Sequence, residues 1–131
     1  MKLKKVVYKE FLFDAAHKLL NYEGDCKFLH GHTYKLIVGI KGKLNEIGMI
    51  IDYKEIKEIW DKKIKNSLDH TNLNDSIDVP NTTAEYIASW IFKKWDAEIR
   101  LISTNKNELE LESITLYETP TSFVVVEKEK V

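Results

Sequence analysis

Two stretches near the start of the chain alternate apolar and polar residues with a period of two. From about Lys5 to His17, Phe11, Phe13, Ala15 and His17 fall on one side of an extended strand. From His30 to Gly42, His30, His32, Tyr34, Leu36, Val38 and Ile40 share a side. The loop between them, "LLNYEGDCKFL", is polar, so the two runs predict a hairpin with a long connection. The period then changes. From about Tyr53, Ile56, Ile59, Trp60, Ile64 and Leu68 form a helical stripe, opened by Asp52 as N-cap with Glu55 completing a capping box. A second stripe runs through Ala84, Ile87, Ala88, Ile91, Trp95 and Ile99, with Thr82 and Glu85 as its capping pair. Two further strands, "ELELESITLYE" and "SFVVVEKEK", meet around Pro120.

The order strand, strand, helix, helix, strand, strand predicts an α+β domain spanning residues 1–131. Its sheet would be four-stranded and antiparallel, with both helices on one face. The third strand changes phase. Leu109 and Leu111 share one parity, and Ile114, Leu116 and Glu118 share the other, which predicts a β-bulge near Glu112 and Ser113. Glu118 then lies on an apolar face, where a carboxylate needs a partner.

Composition narrows the function. The 131 residues carry 20 basic and 21 acidic side chains, for a formal net charge of −1. This balance argues against a nucleic-acid or membrane-surface binder. The single cysteine makes no internal disulfide, and Lys9, Glu10 and Asp14 interrupt the N-terminal apolar residues, so neither a signal peptide nor a membrane span is predicted. The expected location is the cytoplasm. A domain of this size buries about two-thirds of its unfolded surface and gains from oligomerisation.

The chemistry concentrates in "CKFLHGHTY", which holds Cys26, His30 and His32. On a strand, His30 and His32 point the same way, and an antiparallel partner brings His17 to the same point. Three imidazoles with no obvious fourth protein ligand are the pattern of a catalytic zinc; the alternative is a set of hydrogen-bonded core histidines. Cys26 is open to four roles: fourth zinc ligand, nucleophile, general base or inert thiol. Asp69 and His70 are sequence neighbours that form a proton relay only if their side chains turn toward each other.

The stretches "FDAAHKL", "CKFLHGHTYKL", "GMIIDYKEIK", "LDHTNLND", "PNTTAEYIA" and "YETPTS" occur in order along almost the whole chain. Together they resemble the 6-pyruvoyl- and 6-carboxy-tetrahydropterin synthase family. The resemblance implies a tunnelling fold (T-fold) that assembles as homo-oligomers, trimers or hexamers, with active sites at subunit interfaces. It implies Zn²⁺ on His17, His30 and His32, catalytic roles for Cys26, Asp69 and His70, a pterin-anchoring role for Glu118, and a pocket lined by Thr82 and Thr83. The short interval between Cys26 and His30 is similar to the 6-carboxytetrahydropterin synthases of 7-deazaguanine (queuosine or archaeosine) biosynthesis. Such an enzyme is a zinc-dependent lyase. It converts 7,8-dihydroneopterin triphosphate to 6-carboxytetrahydropterin, acetaldehyde and triphosphate. The alternatives are a 6-pyruvoyl synthase, a non-enzymatic zinc-stabilised binding module and a generic zinc hydrolase, the last of which leaves Cys26 and Glu118 without tasks. Lys18, Lys27 and Lys35 are candidates for contact with the triphosphate.

Overall fold

A computed structural model of the chain describes residues 1–130. Strand β1 (Val6–His17) and strand β2 (His30–Lys41) pair antiparallel along their whole length, from Val6↔Lys41 to His17↔His30. Phe11, Phe13, Ala15, Tyr34, Leu36, Val38 and Ile40 are buried on one face, while Tyr8 and Leu12 are exposed on the other. The alternation therefore marks which face of the hairpin is covered.

Helix α1 (Tyr53–Ile59) begins at Asp52, whose carboxylate accepts the Lys54 N–H at 2.9 Å. It passes into a π turn at Trp60–Ile64 and a 3₁₀ turn at Lys65–Ser67. The apolar spacing gives a reason. Positions four apart on an α-helix overshoot one turn by about 40°. Ile56, Trp60, Ile64 and Leu68 are all spaced by four, and the wider π turn keeps them facing the core, where all four are buried.

A two-residue strand, β3 (Thr71–Asn72), pairs parallel with Ala15 and Ala16, and one turn of helix, α2 (Leu73–Ser76), follows it. Helix α3 (Ala84–Ile102) buries Ile87, Ala88, Ile91, Phe92, Trp95 and Ile99. Its N-cap is Thr83, whose hydroxyl accepts the Tyr86 N–H at 3.2 Å. The predicted cap at Thr82 is corrected by one residue, because the Thr82 hydroxyl donates instead to the Lys18 carbonyl at 3.0 Å. The Phe11 ring stacks on Trp60 at 4.9 Å and on Trp95 at 6.0 Å, so both helical segments cover the same face of the sheet.

Strand β4 (Glu110–Thr119) pairs with β2, and β5 (Ser122–Val126) pairs with β4, both antiparallel. The sheet order is β3-β1-β2-β4-β5. The α+β class holds, but the sheet has five strands and is mixed rather than four-stranded and antiparallel. A two-residue strand has no period from which to read it. The predicted bulge is present: Gly39 pairs with Ser113 and Ile40 with Leu111, which leaves Glu112 unpaired. Gly39 leaves room beside it, since a Cβ there would meet the Tyr8 ring at 2.7 Å and Ser113 Oγ at 2.8 Å and force both side chains to shift. Among the described residues, no helix is long and apolar enough to cross a membrane.

Leu116 is fully buried on β4, whereas Leu101 is 78% exposed on α3. Leu116→Ala is expected to destabilise the fold by about 2–5 kcal/mol in denaturant unfolding, and Leu101→Ala by less than about 0.5 kcal/mol.

Candidate metal centre

His17 ends β1, and the register sets it opposite His30, the first residue of β2. His32 follows two positions on, so all three imidazoles project from the helix-covered face. Their ring centroids lie 4.6 Å (His17–His30), 5.2 Å (His17–His32) and 4.8 Å (His30–His32) apart. One nitrogen from each ring lies within 4.8 Å of the others.

Backbone carbonyls select the tautomers. His17 Nδ1 lies 2.8 Å from the Thr82 carbonyl, and His30 Nδ1 lies 2.8 Å from the Phe28 carbonyl. A carbonyl only accepts, so each Nδ1 carries the proton and each Nε2 keeps a lone pair. The Nε2 atoms of His17, His30 and His32 are all buried without a hydrogen-bond partner. Three unpartnered ring nitrogens gathered in one place, two of them fixed as acceptors, are unfavourable unless a cation occupies it. The outer-shell carbonyls on Nδ1 are the arrangement that orients metal-binding imidazoles. The donor set therefore fits a metal ion, and three neutral nitrogens with an open fourth position suit zinc.

Burial lowers the His17 pKa, opposed by the Thr82 hydrogen bond and the Glu118 carboxylate and reinforced by the other two imidazoles. Burial also lowers that of His32, against the pull of Glu118. Tyr34 forms the adjoining wall, 5.6 Å from the His32 ring, with its hydroxyl buried and unpartnered. Burial, assisted by Glu118, raises the pKa of this hydroxyl. The strand pattern placed Tyr34 on the histidine face, but nothing in it distinguished a site wall from a core residue.

Cys26 sits half-buried on a single 3₁₀ turn, Asp25–Lys27. Among the described residues, the metal-capable group contains the three histidines without Cys26, so no closed Cys-His₃ set forms. The turn is held from below. The Leu19 N–H donates to the Cys26 carbonyl at 2.7 Å. The Asn74 side chain bridges the N–H and carbonyl of Lys18, and the Asn81 side chain does the same for Leu20. These two amides act as a substitute strand for the segment after β1. Sequence reasoning missed them, although Asn74 lies inside "LDHTNLND" and Asn81 inside "PNTTAEYIA".

Asp69 and His70 do meet. The carboxylate Oδ2 lies 2.9 Å from His70 Nδ1, and Oδ1 accepts the Asp14 N–H at 3.0 Å. The His70 N–H in turn donates to the Asp14 carbonyl at 2.6 Å. His70 has a left-handed φ of 58°, which lets adjacent side chains turn toward each other. Burial acts to raise the Asp69 pKa, but the hydrogen bonds from Asp14 N–H and His70 outweigh it and lower the value. The dyad, with Asp14, forms a group separate from the three histidines, and the His70 side chain is 78% exposed.

Glu118 is a second bulge residue. Tyr117 pairs with Phe123 and Thr119 with Ser122, so Glu118 has no partner across β5. Its carboxylate stands 3.7 Å from His32 Nε2. Thr83 and Glu118 border one depression of about 390 Å³, beside Leu19 and Phe123. Thr82 lies beneath, buried, with its carbonyl on His17.

The family model for 6-pyruvoyl tetrahydropterin synthase matches residues 6–129. The chain belongs to this family. The 6-carboxy-5,6,7,8-tetrahydropterin synthase of Synechocystis sp. is 44% identical over 94 residues, covering 68% of this chain and 73% of that protein. The enzyme of the same name from Haemophilus influenzae is 38% identical over 141 residues, covering 89% and 94%. The 6-pyruvoyl tetrahydropterin synthase of Caenorhabditis elegans matches with a TM-score of 0.76 at 24% identity, covering 98% of this chain and all (100%) of that one. At that identity the structural match shows the fold, here the T-fold of the synthase family.

The lowered pKa values of His17 and His32 have a measurable consequence. Between those values and about 6.5, the unfolded chain binds more protons than the folded one, so stability rises with pH. The metal-free protein is expected to lose stability as pH falls through about 6.5, well above the range in which Asp69 titrates. Denaturant unfolding between about pH 7.5 and 5 checks this. A flat profile would mean that the imidazoles are not desolvated.

Proposed function

We propose that this chain is a zinc-dependent 6-carboxy-5,6,7,8-tetrahydropterin synthase acting on 7,8-dihydroneopterin triphosphate. One observation carries the reading: three buried, unpartnered Nε2 atoms converge beside the Glu118 carboxylate. The names of the two relatives described above support the carboxy product. Zinc, when bound by His17, His30 and His32, supplies a Lewis acid for the substrate's side-chain oxygens.

The remaining tasks fall to the chain's own groups. Glu118 accepts two parallel N–H donors of the pterin ring and fixes its orientation, with Thr83 lining the pocket and Thr82 beneath it holding His17. Cys26, as thiolate, takes a proton from the substrate's side-chain carbon. His70, with its Nδ1 proton held by Asp69, exchanges a second proton through Nε2. His70 is exposed and borders one open depression with His32, an arrangement that fits composite sites in a homo-oligomer. The pathway served is 7-deazaguanine biosynthesis in the cytoplasm. The family model carries the 6-pyruvoyl name, so the second reading is elimination of triphosphate without side-chain cleavage.

Incubation with 7,8-dihydroneopterin triphosphate followed by mass spectrometry separates the two, since only the carboxy synthase releases acetaldehyde. Cys26→Ala is expected to retain about one zinc per chain and to lose turnover by about 10²–10⁴. Loss of the metal together with the thiol would instead identify a zinc-stabilised module.

Glu118→Gln replaces one acceptor of the fork with a donor. Calorimetric titration with a pterin product analogue is expected to show binding weakened by about 1–3 kcal/mol, with zinc content and folding intact. Unchanged affinity would make the carboxylate structural.

A further inference from the structure

The first strand pair is longer than its neighbour. Residues 30–34 of β2 pair with β1 alone, because pairing with β4 begins only at Lys35↔Tyr117. Past Tyr117, β4 swerves at unpaired Glu118 and turns at Pro120 and Thr121 into β5. A notch is left where a strand would continue. Alternate backbone N–H groups of residues 30–34 face it without a strand partner. A depression of about 480 Å³ fills the notch, bordered by Gly31, His32, Lys35, Tyr117, Glu118 and Thr119. Glu118 is thus a shared wall. On one side it faces Thr83 and Glu85, and on the other it faces Lys35.

Lys35 differs from the ion-paired lysines of the chain. Lys4, Lys41, Lys43, Lys57 and Lys128 all contact carboxylates. Lys35 is half-buried, its Nζ lies 4.3 Å from the centroid of the Tyr117 ring, and among the described residues no carboxylate oxygen lies within 4.0 Å of it. An ammonium on an aromatic face at the end of a half-buried stem, with no counter-ion, is a prepared anion contact. The other depressions near the triad suit an anion less: neither has a lysine on its border, one adds Glu85 to Glu118, and the other carries Asp14. Lys18 and Lys27 are exposed and border neither His32 nor Glu118 in these depressions.

We propose that Lys35, with the free backbone edge of β2, binds the polyphosphate tail of the ligand. This rests on the pterin reading above and gives the tail a place: ring on Glu118, side chain at His32, phosphates in the notch.

The test uses zinc-loaded protein and two fully aromatic probes, neopterin and neopterin triphosphate, titrated by pterin fluorescence. Wild type is expected to bind the triphosphate more tightly, with a gap that narrows between about 0.05 and 0.5 M salt. Lys35→Met keeps the apolar stem on Tyr117. It is expected to weaken neopterin triphosphate about tenfold or more while leaving neopterin unchanged, and Lys35→Arg is expected to retain most of the affinity. Zinc content and circular dichroism confirm folding of each variant. Equal weakening of both probes, no weakening of either, or a selective loss in Lys18→Met or Lys27→Met instead overturns the assignment. If wild type binds neither probe, the pterin reading itself fails and the tail site with it.

Discussion

The register of β1 against β2 is the constraint on which the site depends. Sliding one strand by a single residue would turn every side chain of that strand to the opposite face. His17 would then leave His30 and His32. The core prevents the slip. Phe13 is paired directly with Tyr34, and their rings stack at 4.9 Å, nearly parallel at 9°. The next inward pairs along the hairpin are Ala15↔His32 and His17↔His30. Apolar packing and imidazole placement are therefore consecutive layers of one face. Any change that loosens the first disturbs the second.

A pair of strands alone would leave the rings free to rotate. The carbonyls of Thr82 and Phe28 remove that freedom by holding the Nδ1 protons of His17 and His30. Thr82 has a double task, because its hydroxyl also ties the start of α3 to Lys18. The entrance to α3 and the segment after β1 are thus joined through Thr82, Asn74 and Asn81, and that segment holds the turn bearing Cys26 through the Leu19 N–H. Burial favours the neutral forms of His17 and His32, which metal binding requires, while Glu118 pulls the other way. The carboxylate is near enough to matter to the imidazoles and has no closer partner of its own.

Long periodic segments were legible in the sequence because burial acts on every residue of a strand or helix. The hairpin, both helical stripes and the phase change in β4 all follow from such periods. What was not legible depends on single hydrogen bonds or very short elements. Strand β3 has too few residues to show a period. The break from α to π winding in the first helical segment is a response to packing that propensity does not record. The cap moved to Thr83 because tertiary partners claimed Thr82. In the site, parity brought the three histidines together, but the meeting of Asp69 with His70 needs a left-handed φ that no local motif announced. For Cys26, the spacing left four roles open, and the separation of its thiol from the imidazole group removes the closed ligand set.

Strand β4 shows how backbone irregularity and chemistry are linked. Its first residues turn Leu109 and Leu111 inward; Ile114 and Leu116, of the opposite parity, are also buried. Only an unpaired residue between them reconciles the two, and Glu112 is that residue, its charge answered by Lys4 and Lys41. Without this bulge the strand would keep its original phase, and the position of Glu118 would face away from His32. A second bulge then releases Glu118 itself from pairing with β5. The first irregularity chooses the face and the second frees the side chain. A carboxylate can stand on the apolar face of this sheet because two departures from ideal pairing put it at an edge, beside a depression with room for the donors it lacks.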